Sequence, residues 1–173
     1  GGWLSFQEYF VRERCQPEVL ELSYDGLESS EITPEAEKAL KEADLIIIAP
    51  SNPLVSILPI LKIPGFHKVL QDATAPILAV SPLIAGKALK GPADRMLTSL
   101  KYRADAVGVA NFYENIAAYF LMDSNDFELS DEVSKLGMVP YTADILMPDL
   151  AGKVRLAREI LLIYRNVSRV DSK

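Results

Sequence analysis

The chain has 173 residues, 49% of them hydrophobic, which is enough for one domain with a sizeable core and too apolar for disorder. Its net charge of −6 argues against a general nucleic-acid binder, and no apolar run reaches bilayer length because Pro, Lys, Asp or Ser interrupts each one. A lone Cys15 and a lone His67 exclude an internal disulfide and cysteine or multi-histidine metal clusters, make a His-centred triad a poor fit, and suit a reducing cytoplasm.

The chain begins Gly1-Gly2-Trp3, without an initiator methionine or a charged leader, as expected of a processed product or a fragment. Trp3, Phe6, Tyr9 and Phe10 share one helical stripe, predicting an amphipathic helix over 3–14 with its aromatics in the core. Residues 18–24 alternate and predict a short strand ended by Asp25-Gly26. Thr33 as N-cap and Pro34 at the first position open a helix over 33–43, with Ala36, Ala39, Leu40 and Ala43 on one face.

Leu45, Ile46, Ile47, Ile48 and Ala49 are consecutive and mostly β-branched, which predicts a strand covered on both faces. Pro50 stops it. Ser51 and Asn52 are good N-cap types and Pro53 suits a first helical position, so a helix follows Ser51, interrupted by Pro59 and closed near Pro64-Gly65. A short helix over 65–71 carries His67 at a partly exposed position, and 76–80 is a second continuous apolar strand ending in Ser81-Pro82. A loop over 83–91, with Gly86 and Gly91 flanking Lys87 and Lys90, leads into a helix with Ala93, Met96, Leu97 and Leu100 inward.

A helix over 105–117, a strand over 118–122, a helix over 130–136 and a strand over 138–141 follow. A helix over 149–164, with Val154, Ala157, Leu161 and Tyr164 at helical spacing, and a frayed tail over 168–173 close the chain. This alternation predicts an α/β fold, a Rossmann-like three-layer α/β/α arrangement with a mostly parallel sheet, in which residues 1–173 form a single domain.

No G-x-G-x-x-G, P-loop or nucleophile elbow is present. What remains is a Ser-Asn-Pro helix mouth, a Ser-Pro strand end and a Gly-Lys-rich loop running into Gly91-Pro92-Ala93-Asp94-Arg95. Backbone N–H groups there can hold a phosphate, with Asn52, Lys90 and Arg95 as donors, and the same residues serve equally as caps. Between Lys87 and Arg103 five cationic residues face only Asp94, which also fits a solvated helix face.

Longer motifs narrow this. Gly2-Trp3-Leu4 with Phe6-Gln7-Glu8-Tyr9-Phe10-Val11-Arg12, Ala49-Pro50-Ser51-Asn52-Pro53 with Ser56-Ile57-Leu58-Pro59-Ile60-Leu61, Ala79-Val80-Ser81-Pro82 and Ala88-Leu89-Lys90-Gly91-Pro92-Ala93-Asp94-Arg95-Met96 come in series. Together they resemble the 2-phospho-L-lactate transferase family, CofD, with weaker likeness through Gly108-Val109-Ala110 and Thr142-Ala143-Asp144-Ile145-Leu146-Met147.

The resemblance implies an enzyme of coenzyme F-420 biosynthesis. It would move a phospholactyl or phosphoenolpyruvyl group from a guanosine diphosphate-linked donor to the deazaflavin Fo, releasing GMP with magnesium assistance. It implies nucleotide binding by Ser51, Asn52, Ser81, Lys90, Gly91, Asp94 and Arg95, with Asp94 contacting guanine or bracing Arg95, and acceptor or donor-group binding by Gln7, Tyr9 and Arg12.

Family members begin with a G-G-T-G strand-turn followed by aspartates assigned to magnesium and Fo, and these residues contain neither. The chain therefore resembles a carboxyl-terminal portion lacking the N-terminal strands, with its catalytic residues and metal ligands elsewhere, expected to be inactive and to self-associate alone. The complete protein is expected to be a cytoplasmic homodimer without nucleic-acid or membrane partners. Ser5, where relatives often carry His, departs from the pattern. The alternative is a non-catalytic or divergent nucleotide-binding α/β module.

Overall fold

The computed structural model describes residues 2–170, with side chains through Val167. Four strands, β1 (Ile46–Ile48), β2 (Ile77–Val80), β5 (Tyr119–Asp123) and β6 (Val139–Ala143), pair in the order β1-β2-β5-β6, every neighbour parallel. A two-stranded antiparallel hairpin, β3 (Leu83–Ile84) and β4 (Lys87–Ala88), is inserted after β2. The helices are α1 (Pro34–Glu42), α2 (Leu58–Leu61), α3 (Phe66–Asp72), α4 (Ala93–Ser99), α5 (Ala106–Ala110), α6 (Ser130–Lys135) and α7 (Leu150–Val170).

The period-2 geometry of a strand sends alternate side chains to opposite faces, and here each face has its own core. Ile77, Ala79, Phe120 and Met122 pack with Leu54, Leu61, Met96, Leu97, Val109 and Val133 from the helices before α7. Leu78, Val80 and Leu121 turn the other way, onto Leu156, Ile160, Ile163 and Val167 of α7. The result is the expected three layers. Of the two apolar stripes on α7, the sheet takes this one, leaving Val154 and Leu161 exposed.

Several expectations need correction. β1 is an edge strand: Ile46 is buried, but Ile47 is 46% exposed, because the cluster on α7 takes Leu78, Val80 and Leu121 of the central strands and does not reach Ile47. Among the described residues, 18–24 join no sheet, since their alternation finds no strand to pair with. The segment is held instead by Tyr24, whose hydroxyl donates to the Leu54 carbonyl at 2.5 Å and whose ring carries Lys62 Nζ at 5.1 Å. Of the aromatic stripe only Tyr9 is buried; Trp3 is 68% exposed, and Phe6 and Phe10 stack on each other at the surface, 5.6 Å apart.

The helix after Asn52 starts as a π-helical turn over Pro53–Ile57 and tightens to α2 at Leu58, with Pro59 absorbed in its first turn. The loop over 83–91 contains the β3–β4 hairpin. The helix expected over 105–117 is α5 followed by a 3₁₀ turn over Asn111–Tyr113, and Asn115 at φ 61° ends it. α7 continues to Val170, past the expected fraying point; residues 171–173 lie outside the described residues.

Among the described residues no single helix is long and apolar enough to cross a membrane. The bent pair Pro53–Leu61 and Phe66–Asp72 passes only when taken together, and it carries Leu54, Leu61 and Leu70 of the core.

Candidate functional site

β1, β2 and β5 are parallel, so the segments that leave them converge on one edge of the sheet, where ligands of open α/β folds settle. The first is the helix mouth. Asn52 Oδ1 accepts the Leu54 N–H at 2.9 Å, and Pro53 is buried at the first position, as its fixed φ and missing donor favour. The Ser56 and Ile57 N–H groups both donate to the Asn52 carbonyl. Pro53 carries no N–H and the Leu54 N–H is taken by the cap, so this mouth offers a ligand fewer free donors than an ordinary helix start. Asn52 Nδ2 reaches Met96 Sδ at 3.4 Å, tying the mouth to α4.

The second segment starts at Ser81, which is wholly buried. Its hydroxyl accepts the Leu83 N–H and donates to the Leu83 carbonyl, both at 3.1 Å, closing the turn into β3. The hairpin that follows turns on Ala85 and Gly86 at φ 48° and 72°, the pair of positive angles of a type I′ two-residue hairpin. The third segment is the exposed turn Lys90-Gly91, with Gly91 at φ 78°, which leads into α4.

Two clefts share this edge. A polar one of about 480 Å³ is walled by Gly86 and Lys87 of the hairpin, by Asp94, Arg95 and Thr98 of α4, and by Tyr9. An apolar one of about 840 Å³ lies between the N-terminal segment, whose expected helix over 3–14 forms only as a short helix ending in a π-helical turn over Glu8–Arg12, and residues 17–24, with Trp3, Phe6, Leu20, Val55 and Met96 around it. Tyr9, Pro17 and Glu18 line both clefts and so join them. Burial, above all, pushes the Tyr9 hydroxyl pKa up, so the phenol on this shared wall stays protonated.

The structure brings Tyr9, Asp94 and Arg95 of the expected site residues to these walls. Ser51 and Asn52 stand half-buried at the helix mouth, Ser81 is locked in its turn, and Lys90 and Gly91 lie on the outer turn; none of these five lines either cleft. Gln7 and Arg12 face outward. Arg12 pairs with Glu8 at 2.9 Å and Glu13 at 2.8 Å, and these two raise its already high pKa further.

Sequence reasoning passed over Lys87 as a site residue, since a two-residue strand gives too little pattern to show which way its lysine points. It also passed over the S-x-x-E capping box at Ser5, although that signal is local. Ser5 Oγ accepts the Glu8 N–H at 3.3 Å while Glu8 Oε2 accepts the Ser5 N–H at 2.9 Å, and the Ser5 bonds hold the Glu8 carboxyl below its ordinary range. Ser5 at this position therefore builds the N-terminal helix.

Two carboxylates are buried nearby. Asp123, at the end of β5, accepts from the Asn125 N–H at 3.0 Å, the Asn125 amide at 2.6 Å and the Ile145 N–H at 3.3 Å. Asp126 accepts the Ala85 N–H at 3.1 Å. Among the described residues no group of three or more His, Cys, Asp or Glu side chains is placed to hold a metal ion. Asp123 is spent on three N–H donors, so these residues do not by themselves make the magnesium site that the resemblance implies.

The family model described as 2-phospho-L-lactate transferase CofD matches residues 1–155. The chain belongs to the CofD family. It is similar to the 2-phospho-L-lactate transferase of Methanococcoides burtonii, 30% identical over 166 residues, which cover 96% of this chain and 54% of that protein. It is similar, too, to the phosphoenolpyruvate transferase of Streptomyces coelicolor, 32% identical over 94% of this chain and 51% of that one. The phosphoenolpyruvate transferase of Mycobacterium tuberculosis (strain ATCC 25177 / H37Ra) is 36% identical over 90% of this chain and 47% of that protein. The chain thus spans about half the length of these CofD relatives. Both clefts lie within the matched residues.

Proposed function

We propose that this chain is the carboxyl-terminal portion of a transferase that moves a phospholactyl or phosphoenolpyruvyl group from a guanosine diphosphate-linked donor to the terminal hydroxyl of the deazaflavin Fo. In that reaction the acceptor oxygen forms a bond to phosphorus, the bridging P–O bond to GMP breaks, and the hydroxyl proton is lost. The observation that carries the reading is the pairing of the two clefts across Tyr9. One offers Lys87 and Arg95 to a diphosphate, and the other offers apolar and aromatic walls to a flat ring system.

Arg95 and Lys87 would bind the diphosphate, and Asp94 would accept from guanine N–H groups or orient Arg95. Tyr9, donating from the shared wall, would orient the reacting ends toward each other. Membership in the CofD family and the names of the relatives support the choice of reaction. The same clefts, without the groups that the other half of the protein would supply, would bind nucleotide and not turn over.

Calorimetry with GDP on the complete protein tests this. Arg95→Ala should weaken binding by about 1–3 kcal/mol, as expected for loss of a charge-assisted hydrogen bond. Unchanged affinity would remove the nucleotide from this cleft. Nucleotide binding without Fo binding would favour a non-catalytic module.

A further inference from the structure

The tip of the β3–β4 hairpin sits in an unfavourable backbone conformation. Ala85 holds φ 48°, a region that side-chain-bearing residues rarely occupy, and Gly86 follows at 72°. The tip is also packed without slack, since a Cβ on Gly86 would lie 3.1 Å from the Ala104 carbonyl oxygen. Its other tie comes from far along the chain, where Asp126 Oδ2 accepts the Ala85 N–H at 3.1 Å across 41 residues. Asp126 is 6% exposed, in the turn that follows β5.

A carboxylate is a costly choice for that place. Burial raises its pKa, the Ala85 N–H pulls it down, and the nearby charges of Asp123 and Asp105 push it up again. A carboxyl held above its ordinary pKa destabilises the fold when ionised, so the fold by itself would be better served by a neutral acceptor. What the carboxylate secures is the tip, and the residues that continue from it, Gly86 and Lys87, wall the polar cleft opposite Asp94 and Arg95.

We infer that Asp126 is a positioning residue: by gripping the Ala85 N–H it fixes the hairpin tip, and so sets Lys87 against the anionic group of the ligand in the polar cleft. The inference rests on the nucleotide reading for the identity of that anion, but not for the grip itself. Strained tips persist only where the surroundings over-determine them, and the Asp126 carboxylate and the close-lying Ala104 carbonyl are among those surroundings here.

The test separates binding from stability in the complete protein, with Asp126→Ala and Asp126→Asn compared by GDP calorimetry, by melting and by hydrogen exchange at the Ala85 amide. Asp126→Asn keeps an acceptor oxygen and removes the charge. It should bind GDP within twofold of the unsubstituted protein, protect the Ala85 amide equally, and melt no lower. Asp126→Ala should bind about tenfold more weakly and exchange the Ala85 amide faster, as expected when one buried hydrogen bond no longer orders a ligand-facing loop.

Equal GDP affinity in Asp126→Ala overturns the inference, as does equal loss in both variants, which would make the negative charge itself the contributor. Should the unsubstituted protein bind no GDP, the nucleotide reading fails. The exchange data then decide the grip alone: faster exchange confined to Asp126→Ala upholds it, and unchanged exchange overturns it.

Discussion

Gly108 is where the sequence looks most tolerant and the structure is least so. It lies in α5, where alanine should be the better helix former by about 1 kcal/mol. Yet a Cβ built there would stand 1.7 Å from the Arg103 carbonyl oxygen and 2.6 Å from its carbon, both backbone atoms that cannot rotate away. Nor can α5 retreat, since Ala106, Val109 and Ala110 are wholly buried on it. The Gly108 N–H donates to Asp105 Oδ1 at 2.9 Å, and Asp105 also receives Arg103, so any shift loosens the cap as well.

Overpacking of this kind costs about 1–3 kcal/mol and a lost cap about 1 kcal/mol, against which the propensity gain is too small. Because the clash falls on backbone atoms the upper half of the overpacking range applies, so Gly108→Ala should lose about 2–3 kcal/mol and melt about 4–12 °C lower, at roughly 2–4 °C per kcal/mol for a chain of this size. Thermal and urea unfolding followed by circular dichroism read this directly. A variant that melts within about 2 °C of the parent would refute the close approach of α5 to the Arg103 carbonyl.

The Tyr113 hydroxyl is wholly buried without a hydrogen-bond partner, so Tyr113→Phe should be neutral or stabilising by up to about 1 kcal/mol in urea unfolding; a loss above that would mean the hydroxyl has a partner after all. Arg103 grips Glu132, with Nη2 to Oε1 at 3.0 Å, and holds its carboxyl below the ordinary 4.5. The stability this contributes is present above pH 4.5 and is lost as pH falls through the lowered value. Arg103→Met should accordingly fall below the parent at neutral pH, with the two urea midpoints converging in acid; a constant gap would count against the pair. The exposed edge at Ile47, together with surface Trp3, Phe6 and Phe10, should make the isolated chain self-associate in sedimentation, and Ile47→Lys should reduce it; a monomer at all concentrations would contradict this.

Legibility followed the range of the interactions. Thr33 caps α1, Asn52 and Pro53 open the helix after β1, and β2 and β5 are the buried runs that their sequences suggest, because caps and continuous apolar strands are decided within a few residues. The capping box at Ser5 was equally local. The hairpin was not: two-residue strands carry no period, and its tip depends on Asp126, 41 positions away. Gly108 reads as an ordinary glycine in a helical pattern until Arg103 is brought beside it. Lys87 and Lys90 are indistinguishable as letters, and only the hairpin turns the first toward the cleft.

β1 shows what such a reading can and cannot deliver. Its five apolar residues correctly announce a parallel strand, since only strands sandwiched between layers can dispense with polar positions. Pattern, however, reports what the strand requires and not what it receives. Ile46 is buried among the helices of one face, whereas Ile47, pointing to the other, finds α7 already committed to Leu78, Val80 and Leu121 and stays half exposed. The mismatch between a composition suited to burial and an edge position is the same physical statement as the expected self-association: apolar surface and unpaired backbone groups on β1 are satisfied only by a further layer or strand.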